Sequence, residues 1–187
     1  MLEMKNVTYI YEDQTVALKD ISMDLSKGSC IGIIGSNGAG KSTLFLNFTG
    51  VLKPKQGQIF YDEKPMKYDK ASLRELRKQV SIVFQDPDKQ IFFSKVYDDV
   101  AFALRNLGVD EKEINHRVNI ALASVGAKDF ADKPVHSLSH GQKKRVAIAG
   151  VIAMDSEIIF MDEPSAGLDP VATTQVEEII KSLSEQD

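Results

Sequence analysis

Ile21, Met23 and Leu25 alternate with Ser22, Asp24 and Ser26, the period-two pattern of a strand with one buried face. The first sixty residues read as strands of this kind, interrupted by one run of different character. Cys30 to Ile34 is short and almost wholly apolar, as in a strand buried on both faces, and it gives way to a glycine-rich turn. Leu44, Phe45 and Phe48 follow at helical spacing, so a strand, a loop and a helix are expected in succession. Two more apolar runs, Ser81 to Phe84 and Ile158 to Met161, end in Gln85-Asp86-Pro87-Asp88 and Asp162-Glu163-Pro164. Polar residues beyond the ends of buried strands are where open parallel sheets bind ligands.

Between those two strands the period changes to that of a helix, from about Val96 to Val135. Ile114, Val118, Ala121, Leu122 and Val125 fall on one face, with Gly126 as a stop signal. After Pro170 a second amphipathic helix carries Val176, Ile179, Ile180 and Leu183 on one side. The organisation expected is one α/β domain over 1–187. Its sheet core comprises 1–94 and 155–187, and a helical subdomain at 95–154 is inserted. A sheet domain ordinarily follows such a helix with another strand, so the end at Gln186-Asp187 reads as a cut.

Composition narrows the function. Across 187 residues, 43% are hydrophobic and 27% charged, which suits a globular chain that needs no disulfide or structural metal. The formal net charge of -4 opposes a general nucleic-acid-binding role. Cys30 is the one cysteine, so no disulfide partner exists within the chain, and its apolar neighbours Ile31, Ile33 and Ile34 predict a buried, inert thiol. Met1 to Lys5 shows no basic segment leading into an apolar run, and no stretch approaches the ~20 apolar residues of a membrane span. A cytoplasmic chain is expected, linked to any membrane through partners.

The glycine-rich turn, Gly35-Ser36-Asn37-Gly38-Ala39-Gly40-Lys41-Ser42, fills every position of G-x-x-x-x-G-K-[ST] and stands between an expected strand and an expected helix. Such a loop wraps its N–H groups and a helix N-terminus around phosphates. Lys41 is expected to bridge the β and γ phosphates of ATP, Ser42 to place its hydroxyl on Mg²⁺, and Thr43 to complete the binding segment. Asp162 is then a candidate Mg²⁺ ligand, and Glu163 a candidate general base for the attacking water. Taken alone, an acidic pair after a strand is more often a helix cap or a solvated loop; taken with the phosphate loop, catalysis is the stronger reading.

Leu138-Ser139-His140-Gly141-Gln142-Lys143-Lys144-Arg145 holds a capping box, Ser139 with Gln142, that starts a helix carrying Val146 and Ile148. The same stretch resembles the signature of the ATP-binding cassette (ABC) family, LSGGQ, and its LSHGQ form is similar to the subgroup serving cobalt, nickel and vitamin uptake. Gln85 resembles that family's Q-loop glutamine, and Asp86-Pro87-Asp88-Lys89-Gln90-Ile91-Phe92 looks like the energy-coupling-factor type. Ser165-Ala166-Gly167-Leu168-Asp169 is similar to the D-loop.

This resemblance covers the whole chain. It implies a phosphate-loop NTPase core with a parallel sheet, an N-terminal antiparallel β subdomain and an inserted α-helical subdomain. It implies that Tyr11 stacks on adenine, with core packing beside Tyr9 as the rival reading. Gln85 is implied to touch Mg²⁺ and the catalytic water, while Ser139, Gly141 and Gln142 bind the γ-phosphate held by a second ABC ATPase subunit, with Asp169 beside that interface. The implied partners are that second subunit, identical or paired, and integral membrane transporter subunits at the cytoplasmic face of the cell membrane. The family's switch histidine lies beyond a further strand; His116, His136 and His140 are upstream of that place. A soluble ABC ATPase of DNA repair or translation is the alternative, but those carry a long coiled coil or tandem cassettes. Here about a hundred residues without sustained heptads separate loop from signature. Of Phe92 and Phe93, one is expected to pack inward and the other to line a groove for a helix of the membrane subunit.

Overall fold

The computed structural model describes residues 1–25 and 30–185; Ser26 of the alternating pattern and Gln186-Asp187 at the terminus lie outside them. Two compact units are distinguished, Met1–Val80 and Ser81–Asp187.

In the first unit β1 (Leu2–Ile10) pairs antiparallel with β2 (Val16–Asp24) and with β3 (Gln56–Tyr61), and β3 turns into β4 (Lys64–Pro65). The resulting sheet has the order β2-β1-β3-β4. Ile21 and Met23 are half-buried while Ser22 and Asp24 are exposed, as the alternation predicts. Register shifts interrupt β1 against β2, and polar side chains take up backbone groups there: Asn6 N–H donates to Ser22 Oγ at 2.9 Å, and Asp20 N–H to Thr8 Oγ1 at 3.0 Å. Helix α1 (Lys41–Phe48) packs on β1 and β2, burying Leu44, Phe45 and Phe48. Helix α2 (Lys70–Gln79) is capped by Asp69, whose side chain accepts from Ser72 N–H, and it buries only Leu76.

The apolar run from Cys30 to Ile34 departs from its reading. No strand is assigned there, Cys30 is exposed, and Ile31 and Ile34 are 44% and 98% exposed. Gly32 interrupts the run and Gly35 ends it; glycine weakens a strand because it loses the most backbone freedom and offers no side chain to pack. The expected buried thiol is therefore corrected to an exposed one.

In the second unit β5 (Val80–Val83), which begins at the boundary, pairs in parallel with β6 (Ile158–Met161). Helices α3 (Val96–Leu107), α4 (Glu111–Ser124), α5 (His140–Met154) and α6 (Pro170–Ser184) complete it. Helix α5 packs against α3, α4 and α6, and is buried along most of its length. Ile114, Val118, Ala121 and Leu122 are fully buried, and Val125 follows at the C-cap before Gly126 in the left-handed region. Val176 and Ile179 bring the predicted stripe of α6 into the same core. The expected α/β class, with an antiparallel N-terminal sheet, a parallel pair and a helical block, is what the chain adopts.

Candidate active site

In the first unit the phosphate-loop motif ends on Gly40, at φ 92°, which is the N-cap of α1. A Cβ there would lie 2.5 Å from the carbonyl oxygen of Ala17, so both the backbone angle and the approach to β2 demand glycine. No side chain caps α1, which leaves its first-turn N–H groups directed at whatever anion the loop receives. Lys41 Nζ donates to the carbonyls of Gly35 at 2.9 Å and Ser36 at 3.2 Å, folding back over the loop. Ser42 is exposed and Thr43 is buried. Tyr11 Oη lies 2.8 Å from Thr43 Oγ1, and its ring meets Tyr9 edge-on at 5.0 Å. Tyr11 is 37% exposed, so it contacts Tyr9 without being absorbed into the core.

In the second unit the polar ends of β5 and β6 converge. Asp162 N–H donates to the carbonyl of Val83 at 2.9 Å, and the Asp162 side chain is buried. Gln85 Nε2 donates to Glu163 Oε2 at 2.9 Å. Glu163 adopts φ 41°, a left-handed angle rare for a residue with a side chain, and its carbonyl accepts from Ala166 N–H at 3.0 Å to close a tight turn. The backbone thus turns sharply as it leaves β6, and the carboxylate is held beside the glutamine.

The signature stretch begins α5 as the capping box predicts. Ser139 Oγ accepts from Gln142 N–H at 3.3 Å, and Gln142 Oε1 accepts from Ser139 N–H at 2.9 Å. Ser139 and His140 are exposed at this N-terminus. A Cβ on Gly141 would come within 2.9 Å of Ala172 Cβ on α6, so glycine permits the close approach of the two helices. Asp169 caps α6, its Oδ1 accepting from Ala172 N–H at 3.0 Å.

Sequence reading assigns no role to Lys144 or to the side chain of Gln90, yet the structure places both at the root of the Q-loop. Lys144 is fully buried, and its Nζ donates to the carbonyls of Phe84 at 3.1 Å and Gln85 at 2.5 Å. Burial pushes its ammonium below the ordinary lysine range, opposed by the carboxylates of Asp162 and Asp86. Gln90 Oε1 accepts from Phe84 N–H at 3.0 Å, and its Nε2 donates to the carbonyl of Ala147 at 3.2 Å. The available signal was positional: Ala147, Ile148 and Val151 form a buried stripe on α5, and the same helical spacing extended backwards lands on Lys144.

The inward-facing phenylalanine is a second correction. Phe92 and Phe93 are 66% and 36% exposed, and the residue buried beside them is Ile91. Both rings instead gather with half-buried Phe102, Phe92 edge-on to it at 4.7 Å and Phe93 at 5.2 Å. Asp99 Oδ1 accepts from the N–H groups of both Phe92 and Phe93 at 3.0 Å, so their backbone is fixed by a carboxylate while their rings share a surface cluster.

Comparison with known proteins identifies the family and its fold. The ABC transporter family model matches residues 18–166. An energy-coupling factor transporter ATP-binding protein of Methanocaldococcus jannaschii is 49% identical over 186 residues, covering 100% of this chain and 67% of that protein. CbiO1 of Clostridium perfringens, described as part of the ABC transporter complex CbiONQ, superposes with a TM-score of 0.86 at 45% identity, over 99% of this chain and 74% of that one. A dimeric ATP-binding cassette in a post-hydrolysis state, bound to ADP and Pi, superposes with a TM-score of 0.89 at 28% identity, over 100% of this chain and 84% of the other. The chain spans about two thirds of the length of the curated relatives it matches, from 65% to 69%. Motifs, fold and relatives together place this chain in the ABC transporter family, as an ATP-binding subunit of the ATPase class.

Proposed function

We propose that this subunit hydrolyses ATP as one half of a cassette dimer and thereby drives uptake of a metal ion, cobalt or nickel, or of a vitamin through integral membrane partners. The loop from Gly35 to Ser42, with Asn37, Gly38 and Ala39 at its turn, surrounds the phosphates with backbone N–H groups, and Thr43 continues it into α1. Lys41 exchanges the carbonyls of Gly35 and Ser36 for the β and γ phosphates, and Tyr11 stacks on adenine.

Hard oxygens would hold the cation: in the second unit the Asp162 carboxylate and the Gln85 amide oxygen, and, on the strength of the motif alone, the Ser42 hydroxyl of the first. Gln85 already spends its nitrogen on Glu163, so the oxygen is the atom suited to a metal. Such donors fit Mg²⁺, which takes few carboxylates, keeps several waters and, when bound, neutralises phosphate charge. Glu163 orients the attacking water and accepts its proton.

Ser139, Gly141 and Gln142 form the start of α5, a helix N-terminus suited to the γ-phosphate held by the opposite subunit, with Asp169 beside the same interface. ATP then favours the closed dimer over the open one, and that difference is what membrane subunits can use. The ADP- and Pi-bound relative being a dimer supports this arrangement. The subunit sits peripherally at the cytoplasmic face of the membrane; among the described residues no helix is long and apolar enough to cross one.

The observation that carries the reading is the 2.9 Å hydrogen bond from Gln85 to Glu163, which sets a proton acceptor and a cation-binding amide side by side. The soluble repair or translation reading gains no support, since α3 and α4 are 12 and 14 residues long and form no extended coiled coil. Purification of the full-length protein from its native membranes tests the transport assignment. A multi-spanning subunit is expected to accompany it, and recovery without one contradicts the assignment.

A further inference from the structure

The Phe84–Gln85 backbone is held from both sides by groups that answer to α5. Lys144 lies on that helix and donates to two successive carbonyls, those of Phe84 and Gln85. Gln90 takes the Phe84 N–H on one end of its amide and the carbonyl of Ala147, on α5, with the other. Nearer the surface, Lys143 Nζ reaches Asp88 Oδ1 at 2.6 Å, a half-exposed pair that adds little by itself. A lysine with no exposed surface is costly to keep unless its ammonium is hydrogen-bonded, and here its partners are the backbone carbonyls of Gln85, which contacts Glu163, and of Phe84 before it.

We propose that Lys144 and Gln90 form a clamp between the signature helix and the root of the Q-loop, and that they act as positioning residues which set Gln85, and through it Glu163. This rests on the proposed hydrolytic role of Glu163. The helix whose N-terminus bears Ser139 and Gly141 is, five residues on, the helix that grips Gln85. A displacement of α5 on meeting a partner's nucleotide is therefore transmitted by hydrogen bonds to the Gln85–Glu163 contact. Neither Lys144 nor Gln90 touches substrate in this account.

The test uses the full-length protein with Lys144→Met, which keeps the length of the side chain and removes the ammonium, and Gln90→Leu, which keeps the bulk and removes the amide. Both should fold and bind ATP with the parent affinity, while kcat falls on the order of tenfold to a hundredfold, the scale of a displaced reacting group. Lys144→Gln, which restores a donor, should recover part of that loss. In a Gln85→Ala background, Lys144→Met should change kcat by less than about twofold, because its route to the base is already cut. Independent effects of the two substitutions would overturn the clamp.

The side-chain amide resonance of Gln85 in a nuclear magnetic resonance spectrum gives a readout that needs no turnover. It should shift in Lys144→Met, and an unchanged resonance overturns the proposal even if the variant cannot be assayed. A parent protein without ATPase activity would count against the hydrolytic reading, whereas parent activity with an unaffected Lys144→Met variant would count against the clamp alone.

Discussion

Gln85 Nε2 donates to Glu163 Oε2 at 2.9 Å, joining the second residue beyond β5 to the second residue beyond β6. The two are 78 positions apart in the chain, and the parallel pairing of short strands is what brings them together. The contact gives the carboxylate a fixed direction, and the left-handed angle at Glu163 turns it out of the strand. Positioning of this kind matters more to a general base than raw basicity, because proton abstraction requires hydrogen-bond reach to the water it activates.

Gly40→Ala is expected to damage the phosphate loop by two routes. Its left-handed backbone alone costs roughly 1–2 kcal/mol for a residue with a side chain, and the added Cβ would sit 2.5 Å from the Ala17 carbonyl oxygen. Urea unfolding should show a lower midpoint, and titration should show weakened ATP binding. A variant with parent stability and affinity would contradict the geometry assigned to this turn.

Lys41→Ala is expected to leave the loop's N–H groups in place while deleting the charge proposed to face the phosphates. Hydrogen bonds to charged groups contribute about 1.5–3 kcal/mol, so ATP affinity measured by calorimetry should fall roughly tenfold to a hundredfold. Unchanged affinity would remove Lys41 from the site.

How much of this was legible beforehand follows from what each residue contacts. The stripe Ile114, Val118, Ala121 and Leu122 named α4 because every member faces one core, and Ser139 with Gln142 named the start of α5 because capping is a local interaction. Helix α2 shows only a short stripe, half-buried Leu73 and buried Leu76, beside the cap at Asp69. Cys30 to Ile34 misled because apolar character records aversion to water and not the presence of a ladder partner. Phe92 and Phe93 misled in the same way, for aromatic rings can satisfy one another at a surface. The pairing of Gln85 with Glu163 is a long-range consequence of strand order, which no local pattern contains. Lys144 was hidden by its charge, which reads as solvated until the helix around it is seen to be buried.

Ser139→Ala removes the acceptor for Gln142 N–H and half of the capping box. Loss of such a cap costs about 0.5–2 kcal/mol. Hydrogen exchange should quicken in the first turn of α5 while the amides around Ile148 stay protected. Equal protection throughout the helix would show that the box contributes nothing.

Asp99 gives a pH-dependent prediction. Burial holds its carboxyl above the usual aspartate range, against the lowering effect of the Phe93 and Phe92 N–H groups. Because the folded value is raised, the native state binds more protons than the unfolded chain between the two values, so this group's contribution is fully present below ~3.9 and is lost as pH rises through the folded value. Asp99→Asn keeps an acceptor for both N–H groups and cannot ionise. Its stability relative to the parent should therefore rise from about pH 4 upward and level off once pH exceeds the raised folded value. A difference that does not vary with pH would refute the burial argument.

Glu163→Gln in the full-length protein offers the most direct test of the central claim, that this subunit hydrolyses ATP with Glu163 as the base. The amide keeps the shape of the side chain and accepts no proton. Single-turnover hydrolysis measured beside an ATP titration should show affinity at the parent level and a loss of hydrolysis of at least ~10²-fold, the lower end of what a positioned base contributes. Hydrolysis by Glu163→Gln at the parent rate would contradict the account.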